Sequence, residues 1–597
     1  MSAEPRAGAA ATGGCASAPR RARARARLQV ALLAAAGAAV LAGALLIAAE
    51  LAAARVPEQR AALEELIRRE TGLEVSFRAL SVRWGWYGPE AVFHGVMLGE
   101  PAGGGVLLRA PRLSVALDAW RMVRSGHLEA ARITLERPDI DLGAAAAARA
   151  GAPATATATA LMRPDPFVTG ARVLARWRGG RIAIEGGTVR GLLAPGAPAV
   201  ELAVRHAELR RQGDEWRAEA IAFLPESLGS SARLRLAMHG DPAHPERTRG
   251  TLDIDGQRLE FAGWRALAAR SELARYLPGT GSGNLALAVA FSGSQLLEAH
   301  GSIYAGSIGW AGASGSAPLA LPRLRGAFAL ERRGGEWRLT ADALDTGGGA
   351  RGAVKLELAA AADGRYAHGV IRNLAVPLLA ALGRACAPQL PLAQFAFGGR
   401  ARQLTFDWDA ARPAGARLIT AVDLEDLTLA SAEYGVRLAG LTAHVSGADT
   451  GFIADVGSVS ATLSLARAQP LELDALTIAA RLALDASGAG WRLESEDLEV
   501  RRGAQSLAAS GMIAAAAAGT APRVRARLAV KDVDLALART VLGPGTVAAL
   551  GSAAAHLSSG RIATADLAWR GVLDGGDRAR PPGGDFTGAL VLREASL

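Results

Sequence analysis

Two patterns of apolar and polar residues divide the chain. An unbroken apolar run comes first, and segments that alternate with period two fill most of the rest. The run is Leu28–Ala54, LQVALLAAAGAAVLAGALLIAAELAAA, and Val30–Ala49 holds no charged residue. About 20 apolar helical residues cross a bilayer core. The segment therefore predicts a transmembrane helix. Five arginines in Arg20–Arg27, RRARARAR, place its N-terminal side in the cytoplasm by the positive-inside rule. A cleaved signal peptide would have a shorter core of about 7–15 residues. A lipoprotein reading of Cys15 fails because the cysteine precedes the apolar run.

Residues 55–72, RVPEQRAALEELIRRETG, predict a short amphipathic helix with Leu63, Leu66 and Ile67 on one face. Glu64 and Arg68 sit one turn apart, and Gly72 is a C-terminal stop. Period two then begins. Val75 and Phe77 alternate with polar residues, and the phase shifts after Ala79 to Leu80, Val82 and Trp84, which predicts a bulge or turn. Leu113, Val115 and Leu117 continue the pattern, as do Ile133, Leu135, Ile140 and Leu142 around an interrupting Pro138. The alanine-rich stretch 143–160 offers nothing to pack and reads as a linker. Beyond it RIAIEGGTVR, RLRLAMHG, GTLDIDG, NLALAVAFSG, AVKLELA, ATLSLARA and LTIAARLALDASG predict antiparallel strands punctuated by glycine.

One pattern recurs. Leu-x3-Gly-x2-Trp-Arg occurs at Leu209/Gly213/Trp216/Arg217, Leu330/Gly334/Trp337/Arg338 and Leu484/Gly488/Trp491/Arg492. It predicts one hairpin type reused, with Gly at a positive-φ turn position and Trp covering the end of the apolar face. Spacings of 121 and 154 residues fit duplicated large modules rather than a short solenoid. Short alanine-leucine helices are predicted within 262–278, 374–391 and 533–557, placed to cap the ends of a sheet.

Composition narrows the function classes. The net charge of +10 is modest for 597 residues, and the arginines are spread singly along alternating segments. A nucleic-acid partner wants a concentrated basic face with aromatics, so none is expected. Lysine occurs only at Lys355 and Lys531. Cys15 and Cys386, the two cysteines, fall on opposite sides of the membrane, which excludes an intrachain disulfide. No G-x-S-x-G, H-E-x-x-H or P-loop motif occurs. The nine histidines are scattered; HGDPAHPE, with His239, Asp241 and His244, reads as a solvated turn rather than a metal site. GGGARG at 347–352 matches a dinucleotide fingerprint formally, but a strand pattern follows where a helix is required. Acidic pairs such as Asp139/Asp141, Asp253/Asp255 and Glu494/Glu496 lie on one face of a strand, the solvated one. No enzyme, cofactor or metal is expected.

The stretch from ETGLEVSFRALSVRW through LRAPRLSVALDAWRMVRSGHLEAARITLERPDIDL resembles the start of AsmA-like proteins. AEAIAFLPESLGSSARLRLAMHGDP, TRGTLDIDGQRLEFAGWRAL and VDLALARTVLGPGTVAALGSAAAHLSSGRIATADLAWRG resemble the YhdP-type branch. The chain is shorter than is usual for that branch and stops in a strand pattern, GDFTGALVLREASL, so a truncated member is expected. The resemblance implies a mainly β fold: an N-terminal transmembrane helix, then an elongated, twisted antiparallel sheet forming an apolar groove, with a few short helices. It implies phospholipid transport between inner and outer membranes and a contribution to outer-membrane integrity. The partners implied are phospholipids and the inner membrane, with outer-membrane or periplasmic proteins as further candidates.

The expected organisation is therefore 1–27 a cytoplasmic arm, 28–54 the membrane helix, 55–142 an AsmA-like β module, 143–160 a linker, and 161–597 a repeated β-groove body. The bulk of the chain is expected in the periplasm of a bacterium, anchored to the inner membrane by a single pass. Roughly 540 residues at about 12 per strand and turn allow up to about 45 strands, stacking to about 215 Å. Candidate lipid-contacting residues are the alternating apolar sets nearest the membrane: Val75, Phe77, Val82, Leu113, Val115, Leu117, Ile133 and Leu135. Ordinary sheet core is the competing role for each. The alternative function is a non-conducting structural or assembly factor of the envelope.

Overall fold

The computed structural model describes most of residues 74–596, apart from 142–179, 311–318, 539–558, 573–583 and shorter interruptions, together with a few positions between 61 and 65. The membrane helix Leu28–Ala54, the arm before it, the linker 143–160 and most of the helix predicted at 55–72 lie outside the described residues. Among the described residues no helix is long and apolar enough to cross a membrane. The described fold is mainly β with few helices.

Two compact units divide the chain: Met1–Arg190 with Val204–Gly213, and Gly191–Ala203 with Asp214–Leu597. The strands of the first are β1 (Glu74–Ser76), β2 (Ala79–Gly85), β3 (Gly88–Glu100), β4 (Gly104–Leu117), β5 (Ala130–Glu136), β6 (Asp139–Asp141), β7 (Gly180–Glu185), β8 (Thr188–Leu192) and the later part of β9 (Ala199–Gln212). β1 and β2 lie end to end along β3, which pairs β4. β5 and β6 lie end to end along β4, and β7 and β8 run parallel to them. A line of kinks crosses these strands. The phase shift predicted near Ala79 is the break at Phe77–Arg78. Arg137 takes φ 45° before the buried Pro138, and Gly186 and Gly187 take φ 70° and 126°. A Cβ on Gly187 would meet the Pro138 carbonyl oxygen at 2.4 Å, so the close approach of these two kinks requires glycine.

One face of this unit is a lattice of ion pairs. Arg83 meets Glu90, Arg112 meets Glu136, Arg132 meets Glu185, and Arg181 and Arg210 both meet Glu208. Arg83 hydrogen-bonds Glu90 and holds its carboxyl below the usual range. Burial pushes Glu208 upward, but Arg210 and Arg181 outweigh it and the net direction is also down. A lowered folded pKa means that stability is complete above the unfolded carboxylate range and is lost as pH falls through the folded values. Thermal melts from pH 6 to pH 3 should therefore show a shallower acid decline in the Glu90→Gln, Glu208→Gln double variant than in the parent. Identical slopes would remove these carboxylates from the account.

The second unit contains β10 (Glu215–Phe223), β11 (Ser231–His239), β12 (Arg249–Glu260), β13 (Thr280–Ser292), β14 (Gln295–Trp310), β15 (Leu319–Arg333), β16 (Glu336–Leu344), β17 (Val354–Ala361), β18 (Tyr366–Ala375), β19 (Ala396–Asp409) and β20 (Leu418–Ser431). It continues with β21 (Val436–Ala448), β22 (Gly451–Ser458), β23 (Ala461–Leu465), β24 (Leu471–Leu473), β25 (Ala475–Leu484), β26 (Trp491–Arg502), β27 (Gln505–Ala515), β28 (Arg523–Asp534), β29 (Ser559–Val572) and β30 (Gly584–Ser596). Each pairs antiparallel with its sequence neighbour, except that β22 pairs β25 while β23 and β24 form a side hairpin against β21. The described strands number 30, against the allowance of about 45. Strands of up to 16 residues consume more chain than the average assumed.

In a meander, alternate strands run the same way, so β12, β18, β22 and β28 all end at one margin. Each of the capping elements among the described residues leaves from it. Helix α1 (Phe261–Leu267) follows β12, and helix α2 (Val376–Cys386) follows β18. The β23–β24 hairpin follows β22, and a helical turn at 535–538 follows β28. α1 packs Leu267 and Trp264 against Val200 and Leu228. α2 packs Leu378 and Leu379 against Leu374, Ala401 and Val422. The hairpin buries Ala461 and Leu473 against Leu441 and Leu476, and Leu535 covers Ile562 and Ala565. Just inside this margin runs a line of bulges. Arg258, Ser307, Asn373, Asp426, Asp532 and Glu594 take φ between 48° and 61°. Bulges of this kind bend a strand and raise its local twist. At the opposite margin the connections include tight turns such as Gly334–Gly335 and Asp449–Thr450.

Candidate functional site

The strand registers define the site. Side chains alternate between the two faces of a sheet, and cross-strand partners share a face. In the first unit one row runs Leu80, Phe93, Leu113, Leu135, Ile184, Ala207. The next on the same face runs Val82, Ala91, Val115, Ile133, Ile182, Leu209. Five of the candidate residues, Val82, Leu113, Val115, Ile133 and Leu135, thus lie side by side in two rows. Leu117 extends β4 beyond them opposite Ala130, and Val75 pairs with Leu98 in a separate row beyond the kink. All seven are half-buried. Phe77 is different. It is buried at 2% exposure with its ring edge-on to Phe93 at 5.2 Å, so it belongs to the packed corner.

The second unit carries a longer version of the same surface. One row begins Ala218, Leu236, Leu252, Val289, Ala299, Leu330, Leu339, Leu358, Gly369, Phe406. It continues through Thr420, Gly447, Phe452, Leu482, Leu493, Ile513, Val524 to Gly571. No member is charged. The row of opposite parity includes Glu219, Arg235, Asp253, His300, Glu357, Arg481, Glu494, Arg525 and Arg570. Apolar-row residues such as Leu236, Leu252, Val289, Leu339, Leu482 and Leu493 are half-buried, not buried. Full burial is concentrated where a cap or hairpin packs. A conventional domain covers such a face with a second layer.

Two devices shape the face. The first pairs phenylalanine with glycine across strands: Phe291 opposite Gly250, Phe328 opposite Gly301 and Phe406 opposite Gly369. A Cβ would meet the Phe328 ring at 2.5 Å on Gly301 and the Phe406 ring at 2.7 Å on Gly369. The rings therefore lie over the glycines, close to the sheet. Gly301→Leu should force Phe328 to stand off the sheet and cost about 1–3 kcal/mol of stability. Adding Phe328→Ala to that variant should recover most of the loss in a thermal melt. No recovery would show that the glycine serves only the backbone.

The second device is a line of tryptophans at the tight-turn margin. Trp216, Trp337, Trp408, Trp491 and Trp569 all have the parity of the apolar rows and lie near the ends of β10, β16, β19, β26 and β29. Three belong to the repeated Leu-x3-Gly-x2-Trp-Arg pattern, whose Gly213 and Gly334 take φ 62° and 58°. Gly488 lies outside the described residues. Trp216 is buried and its indole Nε1 donates to the Gly240 carbonyl at 3.0 Å. Arg332 stacks over Trp337 at 5.7 Å, and Trp569 stacks on Phe586 at 5.8 Å. Trp408 and Trp569 lie outside the motif. Their position emerges only from the register.

Among the described residues no group of three or more metal-ligating side chains occurs. His244 contacts Glu246 in an exposed turn. Gly347 and Gly352 lie in the connection between β16 and β17, where no helix follows to receive a dinucleotide phosphate.

A family model described as YhdP protein matches residues 23–597. No curated protein matches the chain.

Proposed function

The chain belongs to the YhdP family, and from that premise we propose that it is an inner-membrane-anchored periplasmic protein whose open apolar face carries phospholipid acyl chains. Leu28–Ala54 holds the base of the body at the bilayer, and the face leads lipid away from it towards the outer membrane. The role is conduction and outer-membrane integrity rather than catalysis. One observation carries the proposal: the uncharged register row from Ala218 to Gly571.

The energetics favour such a surface. Burying a methylene is worth about 0.8 kcal/mol, and a bilayer offers the same term. A lipid with its chains on this face and its headgroup in water loses little on leaving the membrane. Extraction of the intact chain in mild detergent, followed by mass spectrometry of bound lipid, tests the proposal. More than one phospholipid per chain is expected. A folded chain free of phospholipid would favour the non-conducting structural role.

A further inference from the structure

An open pocket of about 830 Å³ lies at the capped margin, between α2 and the ends of β19, β20, β21 and β23. Pro377, Ala380 and Arg384 reach it from one side of α2, while Leu378 and Leu379 on the other side hold the helix to the sheet. Phe395, Phe397, Val436 and Leu465 supply apolar walls, and Arg437 enters from β21. No carboxylate lines it.

Several cations on the outer face are matched by acids. Arg400 and Arg402, close by on β19, both meet Glu425. Arg372 meets Glu357, and Arg233 and Arg235 meet Glu219. Arg384 and Arg437 make no ion pair with any described residue. A mostly apolar pocket flanked by two unmatched guanidinium groups fits a ligand with an apolar body and a compact, multiply charged anion. Guanidinium binds phosphate oxygens through paired N–H donors.

We propose that this pocket is a side site for a phosphate-bearing amphiphile, with the phosphate between Arg384 and Arg437 and the apolar part against Phe395, Phe397 and Leu465. The inference deepens the reading of the chain as a phospholipid carrier and rests on it for the source of the ligand. The site lies beside the open face, not on it. It would hold one lipid by its headgroup where the face holds chains without regard to headgroup.

Photo-crosslinking on the full-length chain tests this. p-Benzoylphenylalanine replaces Gln394, an exposed residue at the pocket wall, and in a parallel chain replaces Leu252 on the open face. The probes are dioctanoyl phosphatidic acid, dioctanoylglycerol, and inorganic phosphate as competitor. Phosphatidic acid should label position 394, and Arg384→Gln or Arg437→Gln should each weaken that labelling about tenfold. The corresponding Lys variants should retain most of it, and labelling at 252 should not change. Equal labelling of 394 by dioctanoylglycerol, or labelling indifferent to both arginines, would overturn the side site. So would complete displacement by phosphate at the same concentration as the lipid, which would make it a plain anion site. Labelling at 252 but not at 394 defeats this inference alone. Loss of both defeats the carrier reading as well.

Discussion

Val115→Asp should abolish lipid retention by the first unit while the chain still inserts in the membrane. Val115 lies near the C-terminal end of β4, paired with Ala91 and Ile133 and flanked along the strand by Leu113 and Leu117. The ion-paired side chains beside Val115, such as Arg112 with Glu136, lie on the other face, and Arg109 opposite Asp139 lies further along β4, past the kink at Pro138. A carboxylate at position 115 is half-exposed in the empty protein, so it keeps water and costs the fold about 1–3 kcal/mol. Against an acyl chain it loses that water without gaining a partner, and the penalty then falls on lipid binding. Bound phospholipid should drop about tenfold or more, measured by mass spectrometry on membrane-extracted protein. Val115→Ala should retain lipid. Ser81→Asp, an exposed change on the opposite face, should also be neutral. Full lipid content in a folded Val115→Asp chain would remove this row from the lipid path.

Trp216→Ala should be the most destabilising single change at the tight-turn margin, at about 3–5 kcal/mol. The side chain is 2% exposed and its indole nitrogen hydrogen-bonds the Gly240 carbonyl. Truncation leaves a large cavity and an unsatisfied carbonyl. Trp216→Phe fills most of the space and should cost about 1 kcal/mol for the hydrogen bond alone. Trp337 and Trp491 hold the same place in the repeated pattern but are half-buried, so their Ala variants should cost less than Trp216→Ala. Hydrogen exchange resolved to β10–β12, β15–β17 and β25–β27 separates the three effects. Equal, small losses at all three would mean that the pattern marks a turn and not an anchor.

Much of the fold is legible in the pattern of residues. The alternating segments are strands, and the phase shift at Ala79 and the interruption at Pro138 mark real breaks. The helix predicted within 374–391 occurs as Val376–Cys386. Pro377 sits in its first turn, where a missing N–H is harmless. Leu374 and Ala375 join β18 instead, because their burial in the sheet outweighs helix propensity. The helix predicted from 262 is described only to Leu267. Gly263 packs so closely on Ser227 that a Cβ would lie 1.8 Å from its carbonyl oxygen.

The site is less legible, because it is a property of register. Each strand read alone has an apolar face. Which residue of β13 meets which of β14 depends on the bulges between Thr280 and Ser282 and between Ala290 and Phe291, and a one-residue slip would turn a strand over. The pairing of Phe328 with Gly301 and the alignment of Trp408 and Trp569 with the motif tryptophans are likewise non-local. Phe77 alternates like its neighbours in sequence, yet the kink at Arg78 turns it into the packed corner beside Phe93.

The central claim is that lipid lies on one face of the sheet and not the other. Photo-crosslinking in living cells from single positions along β12 and β13 tests it most directly. The account predicts phospholipid adducts at Leu252, Ile254, Leu285 and Leu287, and none at Asp253, Asp255, Ala286 and Ala288. Adducts that ignore this period of two, or that appear only on the second set, would contradict it.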